Sequence, residues 1–185
     1  MSPVNLKLVD KLKAEPTHHK HRIKKKLDFA LIIVSDTRYK EEKQGGESTD
    51  ETTPIVKELV ERAGHRVKFR IVVPDEKKAI VKAINTAISK GVDVVVASGG
   101  TGLAKRDVTV EAVLPLLEKK IPGFGELLRF ESYKEIGPAA MLTRAEAGIY
   151  RGVPVFCLPG SPNAAHIALT KLILPEINHI IYHVE

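Results

Sequence analysis

The sequence has one cysteine, no long apolar run and no net charge outside its first 26 residues. The single cysteine, Cys157, excludes an internal disulfide and a cysteine-based zinc site. Because it lies within the apolar run Val153–Leu158, we expect a buried thiol and a reducing compartment, the cytoplasm. No apolar run approaches the roughly 18 residues of a membrane span, so no membrane helix is predicted. The first charged residues are not followed by an apolar segment, and no signal peptide is expected.

The net charge of +6 is confined to residues 1–26, which contain eight Lys or Arg and two Asp or Glu. The remaining chain holds 21 residues of each sign. This balance argues against a basic domain face for nucleic acid and indicates a basic arm. We therefore expect an N-terminal arm, residues 1–26, and one domain, residues 27–185. The arm's histidines, His18, His19 and His21, are expected to be solvated.

From Phe29 onwards, short apolar runs alternate with amphipathic helical patterns. The run Phe29–Val34 is wholly apolar, as in a strand buried on both faces of a parallel sheet. Residues 36–49 are polar and are predicted to form a long loop. The predicted strands are residues 29–34, 66–73, 92–97, 147–150 and 153–158. The predicted helices are residues 50–63, 74–90, 109–118 and 123–135, with a terminal helix from residue 162 that Pro175 kinks or restarts.

This alternation predicts parallel strands joined by right-handed crossovers. The last two strands are joined near Arg151-Gly152 and are expected to form an antiparallel hairpin. The expected fold is a three-layer α/β/α sandwich with a mostly parallel central sheet and an antiparallel edge hairpin.

A glycine-rich turn follows the third predicted strand; it consists of Ser98, Gly99, Gly100, Thr101 and Gly102. This position is the carboxyl end of the sheet, where open α/β folds bind ligands, and glycines let backbone N–H groups converge on an anion. The turn matches neither the dinucleotide pattern G-x-G-x-x-G nor the P-loop, in which lysine directly follows the last glycine. The sequence therefore predicts a phosphate-binding turn outside those two classes.

Two aspartates are expected beside this turn. Asp75 ends the second strand and Asp107 lies just beyond the glycines, so a parallel sheet brings both to one edge. Together with phosphate oxygens they are candidate ligands for Mg²⁺. Helix capping is the alternative role for each carboxylate.

Two further segments close strands at the same predicted edge. One contains Ser35, Asp36 and Thr37, and the other contains Pro159, Gly160, Ser161 and Pro162. Ser161 is expected to begin a helix, whose N-terminus favours anions. Ordinary turn chemistry is the alternative for each segment, but four strand ends are expected to converge.

No residue has the surroundings of a catalytic nucleophile. Ser161 lacks the nucleophile-elbow context, Cys157 is expected to be buried, and no histidine stands at a predicted strand end. The remaining histidines are expected to be surface or packed residues: His65, His166, His179 and His183. A transfer reaction that depends on positioning and a metal ion is therefore favoured over covalent catalysis.

Seven short motifs occur in a characteristic order: Val34-Ser35-Asp36-Thr37, Val73-Pro74-Asp75, Ser98-Gly99-Gly100-Thr101-Gly102, Arg106-Asp107-Val108-Thr109, Pro122-Gly123-Phe124-Gly125-Glu126, Thr143-Arg144 and Leu158-Pro159-Gly160-Ser161-Pro162. Each is weak alone. Together, over about residues 28–182, they resemble the MoaB/MogA family of molybdenum cofactor biosynthesis.

The resemblance implies a Mg²⁺-dependent reaction in which the terminal phosphate of molybdopterin attacks the α-phosphorus of ATP and pyrophosphate leaves. By likeness, Asp75 and Asp107 match the family's two functionally critical aspartates, and both remain the expected Mg²⁺ ligands. The glycine turn and the Pro-Gly-Ser-Pro segment match parts of the binding pocket, and Thr143 and Arg144 are carried over with them. Also implied are a homo-oligomer, trimer or hexamer, and a downstream metal-insertion protein as a candidate partner.

The chain departs from the family pattern at three places. Asp50-Glu51-Thr52-Thr53 stands where Asp-x-Ser-Gly is frequent, Thr143 replaces serine, and Asn163 replaces lysine. These departures keep a non-catalytic molybdopterin-binding or carrier protein as the alternative function. Nucleic-acid binding through the basic arm is a third hypothesis, and no nucleic acid or membrane partner is expected.

Overall fold

The computed structural model describes residues 26–45 and 49–184, so the predicted arm lies outside the described residues except for Lys26. The six strands are β1 Asp28–Val34, β2 Arg66–Val73, β3 Val94–Ser98, β4 Lys119–Lys120, β5 Glu146–Tyr150 and β6 Val153–Leu158. The α-helices are α1 Asp36–Gln44, α2 Thr52–Arg62, α3 Lys77–Ser89, α4 Thr109–Val113, α5 Pro122–Ile136, α6 Pro162–Ile167 and α7 Leu174–Val184. Shorter helical segments are the 3₁₀ turns Leu114–Leu116 and Gly137–Leu142 and the π-helical segment Ala168–Ile173.

One sheet with the strand order β2-β1-β3-β6-β5-β4 organises the fold. Strands β2, β1, β3 and β6 are parallel, whereas β5 and β4 are antiparallel to their neighbours. The hairpin between β5 and β6 turns through Arg151 (φ 51°) and Gly152 (φ 73°), the positive φ values that a two-residue hairpin loop requires. The predicted sandwich with its mostly parallel sheet and antiparallel edge is confirmed.

Helices cover both faces of the sheet because the central strands are apolar on both sides. In β1, Phe29, Leu31 and Ile33 belong to one core, which α2, α5, α6 and α7 cover. Ala30 and Ile32 belong to the opposite core, which α3 and α4 cover. All five side chains are fully buried. Within the described chain, no helix is both long and apolar enough to cross a membrane.

The predicted loop over residues 36–49 is wrong, because residues Asp36–Gln44 form helix α1. The Ser35 hydroxyl caps this helix by accepting a hydrogen bond from the Arg38 N–H at 3.4 Å, and Gly45 ends it in the left-handed conformation. No residue of α1 is fully buried. A helix without an apolar stripe produces no hydrophobic periodicity in the sequence. Only the capping residues at its two ends could have indicated this helix.

The predicted helix over residues 109–118 is too long. Helix α4 ends at Val113 and a 3₁₀ turn containing Pro115 follows, since proline cannot donate to a continued helical ladder. The edge strand Lys119–Lys120 was not predicted, because both residues are exposed and two residues are too few to show an alternation of apolar and polar side chains. The interruption near Pro175 is confirmed, because the π-helical segment separates α6 from α7 just before that proline.

Candidate functional site

A cleft of about 560 Å³ lies at the carboxyl edge of the parallel strands. It forms where β1 and β3 are neighbours but lead to helices on opposite faces of the sheet, which is where open α/β sheets bind ligands. All four expected strand ends contribute to it. Its lining comprises Val34, Ser35, Asp36, Thr37, Arg38, Thr49, Asp75, Gly99, Gly100, Thr101, Gly102, Arg106, Asp107, Ala139, Leu142, Thr143, Pro159 and Gly160.

The glycine turn is held in one conformation by its neighbours. Gly99 and Gly100 have φ values of 105° and 61°, which favour glycine. A Cβ on Gly99 would overlap the carbonyl oxygen of Val34. The Thr109 hydroxyl donates to the Gly99 carbonyl at 2.7 Å, and the Thr109 N–H donates to the Gly100 carbonyl at 2.9 Å. The turn thus requires both glycines and is fixed to the start of α4.

The backbone donors of the turn are available to a ligand. The Gly99 N–H is used internally and donates to the Leu158 carbonyl at 3.0 Å. Among the described residues, none accepts a hydrogen bond from the N–H groups of Gly100, Thr101 or Gly102. Consecutive free N–H groups in a left-handed turn can bind an anion such as phosphate.

Asp75 is fixed beside the turn by reciprocal hydrogen bonds with Asp36. The Asp36 N–H donates to Asp75 Oδ2 at 2.9 Å, and the Asp75 N–H donates to Asp36 Oδ1 at 3.1 Å. A Cβ on Gly100 would stand 2.7 Å from Asp75 Oδ1, so that oxygen lies against the turn. Burial raises the pKa of Asp75 above its ordinary value, and the negative charges of Asp36 and Asp107 raise it further. The hydrogen bond from the Asp36 N–H and the positive charge of Arg106 lower the pKa, but do not cancel the effect of burial.

Asp107 lies on the other side of the turn. The Ala104 N–H donates to Asp107 Oδ2 at 2.8 Å, and the Asp107 N–H donates to the Ala104 carbonyl at 2.9 Å. A Cβ on Gly102 would stand 2.6 Å from Asp107 Oδ2. Both aspartates therefore approach the turn at positions where only glycine leaves room for them.

Two arginines in the cleft were not predicted as site residues. Arg106 directly precedes Asp107, and its charge lowers the pKa of Asp75. Arg38 belongs to α1, the helix that was not predicted from the sequence. Two arginines in the same cleft as the acidic pair complement the negative charge of a phosphorylated ligand. Arg106 could have been predicted from its position directly before Asp107 in the motif. Nothing in the sequence marked Arg38 as a site residue.

Four predicted binding residues do not line the cleft. The Ser98 hydroxyl donates to the Pro159 carbonyl at 3.1 Å, which ties β3 to β6. Ser161 caps α6 by accepting from the Ala164 N–H at 3.2 Å, and Pro162 follows it in the first turn of that helix. The Arg144 Nε donates to the Thr101 carbonyl at 3.1 Å. These residues support the walls of the cleft.

Arg144 reaches the glycine turn from outside. Its terminal nitrogen pairs with Glu111 on α4 at 2.7 Å while its Nε bonds to Thr101. Arg144, which was predicted to bind the ligand, thus contacts the backbone of the glycine turn. Glu111 was missed, since a single acid on a helix has no sequence signature.

The departures from the family pattern occupy different places. Thr143 lines the cleft, whereas the Thr52 hydroxyl donates to the Gly160 carbonyl at 3.3 Å and the Thr53 hydroxyl donates to the Asp50 carboxylate. Asp50 itself is common to both patterns. Asp50 Oδ1 accepts hydrogen bonds from the N–H groups of Thr52 and Thr53 at 3.0 and 3.1 Å and so caps α2. Asp50 also pairs with Arg70 at 2.9 Å. Asn163 lies outside the cleft and donates to Glu135 at 2.6 Å.

The donor set of the cleft fits a hard cation that keeps phosphate and water ligands. Among the described residues, both aspartates use Oδ2 for their hydrogen bonds, which leaves Oδ1 of Asp75 and Asp107 for a cation. In this part of the chain no group of three or more His, Cys, Asp or Glu side chains could hold a metal. Mg²⁺ is commonly bound by one or two carboxylates together with substrate phosphates.

Comparisons with known proteins show the family to which the chain belongs. Residues 30–179 match the family described as "Probable molybdopterin binding domain". A Bacillus cereus protein named molybdenum cofactor biosynthesis protein B is 45% identical over 168 residues, which cover 90% of this chain and 95% of that protein. A Pyrococcus furiosus protein named molybdopterin adenylyltransferase is 43% identical over 169 residues, which cover 89% of this chain and 95% of that protein.

Solved structures show the same fold. The tungsten cofactor synthesizing protein MoaB from Pyrococcus furiosus aligns with a TM-score of 0.78 and 41% identity, covering 86% of this chain and 98% of that chain. A crystal structure of molybdenum cofactor biosynthesis protein B aligns with a TM-score of 0.79 and 44% identity, covering 86% and 96%. The family match spans most of the domain and the relatives match over nearly their whole length, so the chain belongs to the MoaB/MogA family of molybdenum cofactor biosynthesis proteins.

Proposed function

We propose that this protein is a molybdopterin adenylyltransferase that joins the adenylyl group of ATP to the terminal phosphate of molybdopterin. The observation that carries the proposal is the approach of Asp75 and Asp107 to the glycine turn within one cleft. The Pyrococcus furiosus relative that bears this name supports it. Because the attacking group is a phosphate of the substrate, no protein nucleophile is needed, in keeping with a cleft whose described lining residues include no cysteine or histidine.

The chain's own residues have distinct roles in this reaction. The free N–H groups of Gly100, Thr101 and Gly102 bind a phosphate. Asp75 and Asp107 hold Mg²⁺, which neutralises phosphate charge when bound. Arg38 and Arg106 bind further phosphate oxygens and stabilise the charge that develops on the leaving pyrophosphate. Catalysis here rests on positioning and electrostatics.

The proposed enzyme is a homo-oligomer that covers an exposed apolar surface. This surface lies on α5 and the following 3₁₀ turn and consists of Leu127, Phe130, Tyr133, Ile136, Met141 and Leu142, each more than half exposed. Leu142 also lines the cleft, so a second copy on this surface would border the site. Sedimentation should detect a trimer or hexamer, and Phe130→Glu should shift it toward the monomer. A Phe130→Glu protein that sediments as wild type would exclude this surface.

We also propose a cytoplasmic location and a downstream metal-insertion protein that accepts the adenylated pterin. The single cysteine, which is free and buried, is in keeping with a reducing compartment.

The test of the function is direct conversion of substrate. Purified full-length protein mixed with molybdopterin and Mg²⁺-ATP should form adenylated molybdopterin and pyrophosphate. Tight binding of the pterin without conversion, and without dependence on ATP or Mg²⁺, would instead support the carrier function and overturn the enzymatic one.

A further inference from the structure

The last helix, α7, carries two histidines one turn apart on its exposed face. Nε2 of His183 lies 2.9 Å from Nε2 of His179, and the ring centroids are 4.7 Å apart. The residues are spaced i, i+4, the spacing at which helical side chains share a face and at which two histidines can bind one metal ion. The site lies apart from the cleft, whose lining contains no residue of α7.

A carboxylate sets the tautomer of the first histidine. Glu176 Oε2 lies 3.1 Å from Nδ1 of His179, one helical turn before it. An ionised carboxylate only accepts hydrogen bonds, so Nδ1 of His179 is the nitrogen that carries a proton towards Glu176, and Nε2 is the nitrogen that faces His183. A carboxylate bonded to the far nitrogen of a histidine is the arrangement that orients metal-binding imidazoles.

We propose that His179 and His183 bind a divalent transition ion that prefers imidazole, such as Zn²⁺, through both Nε2 atoms. Zinc–nitrogen bonds of about 2.0–2.1 Å at a tetrahedral angle place two nitrogens about 3.3 Å apart, so the rings need open by only a few tenths of an ångström. The proton on Nε2 of His183 moves to its Nδ1 through water, which leaves both Nε2 lone pairs for the metal. Water fills the remaining positions.

The accessibility and rigidity of the pair suit this role. The side chains of His179 and Glu176 are 49% and 51% exposed, which leaves room for water ligands. The opposite face of α7 is anchored because Ile177 and Ile181 are 0% and 4% exposed. A metal ion here bridges one turn of an anchored helix and stabilises the folded chain by mass action.

The ion class follows from the donors. Imidazole nitrogen suits Zn²⁺, Cu²⁺ and Ni²⁺, whereas Mg²⁺ prefers oxygen. This site is therefore distinct in chemistry from the acidic cleft, and neither depends on the other. Its failure would leave the proposed adenylyltransferase untouched.

The experiment titrates full-length protein with ZnCl₂ and follows the histidine ring nitrogens by NMR. The Nε2 signals of His179 and His183 should move together and saturate together, in the presence of excess MgCl₂. Calorimetry of the same titration should give a dissociation constant that rises at least tenfold in His183→Asn. Glu176→Ala should raise it by about tenfold or less, as expected for a group that orients a ligand.

Two controls separate this site from other histidines. His166→Asn removes a solitary exposed histidine of α6, and a triple substitution to Asn at His18, His19 and His21 removes those of the arm. Neither should alter the movement of the His179 and His183 signals. The proposal is overturned if those signals stay still while zinc binds elsewhere, or if His183→Asn binds zinc as wild type does; the two rings would then share only a hydrogen bond.

Discussion

Adding a single methyl group to the glycine turn should show whether the adenylylation rate depends on the geometry of the turn, apart from the stability of the fold. In Gly100→Ala the new Cβ stands 2.7 Å from Asp75 Oδ1 and 2.5 Å from Thr109 Oγ1, so the carboxylate or the turn must shift. The left-handed backbone at φ 61° costs alanine about 1–2 kcal/mol, and overpacking adds about 1–3 kcal/mol. The free energy of unfolding should therefore fall by about 2–5 kcal/mol, which an ordinary domain survives.

Catalysis should suffer in this variant even while the chain stays folded. A displacement near 1 Å of a positioned group can lower a rate by about 100-fold, and we expect that loss in the adenylylation rate of Gly100→Ala. The matched control is Gly91→Ala, whose backbone has φ 68° and whose Cβ would meet only Lys68 Nζ, at 3.9 Å. It precedes β3 at the opposite end of the sheet from the cleft.

The assay compares rates at a temperature where circular dichroism shows both variants fully folded, after urea unfolding has measured their stabilities. Gly91→Ala should lose about 1–2 kcal/mol of stability and keep its adenylylation rate. If Gly100→Ala, folded, reacted within about threefold of wild type, the placement of Asp75 against the turn would not matter and the reasoning would be refuted.

Three further predictions concern charged groups. Burial raises the pKa of Asp75, so a proton should compete with Mg²⁺ for this carboxylate at a higher pH than for an ordinary aspartate. Calorimetry should therefore show weaker Mg²⁺ binding as the pH falls, and Asp75→Asn should abolish this pH dependence. Glu111→Gln frees Arg144 from an exposed ion pair worth at most about 1 kcal/mol, so kcat/KM should fall by no more than about fivefold; a loss of 100-fold would mean direct participation. His65 accepts a hydrogen bond from the Leu27 N–H, and burial lowers its pKa below the ordinary 6.5; the unfolded chain then binds the proton more readily, so the free energy of unfolding should fall as pH drops below that value, and His65→Gln should lack this slope.

The sequence predicted the parts of the fold that hydrophobic patterns determine. Strand β2 was predicted at its observed limits, Arg66–Val73, because its apolar residues first alternate with charged ones and the segment lies between a helix-ending glycine and a proline. Helix α1 was missed since none of its residues is fully buried and the helix carries no apolar stripe. Patterns of burial can reveal only elements that are buried.

The site was predictable at the level of strand ends but not of side-chain direction. The parallel sheet brings Asp75 and the glycine turn to one edge, as expected. The pattern does not say that the Ser98 hydroxyl turns back to the Pro159 carbonyl, or that Arg144 bonds to the Thr101 backbone. Those directions depend on contacts between elements far apart in sequence.

In the proposed reaction, the paired aspartates beside the glycine turn support transfer of an adenylyl group. The most direct measurement follows ATP labelled at the α-phosphate through a single turnover with molybdopterin and Mg²⁺. The label should appear in the pterin product with wild-type protein and remain in ATP with folded Asp75→Asn or Asp107→Asn. Label that never reaches the pterin with wild-type protein, or that reaches it equally well in both variants, would contradict the account.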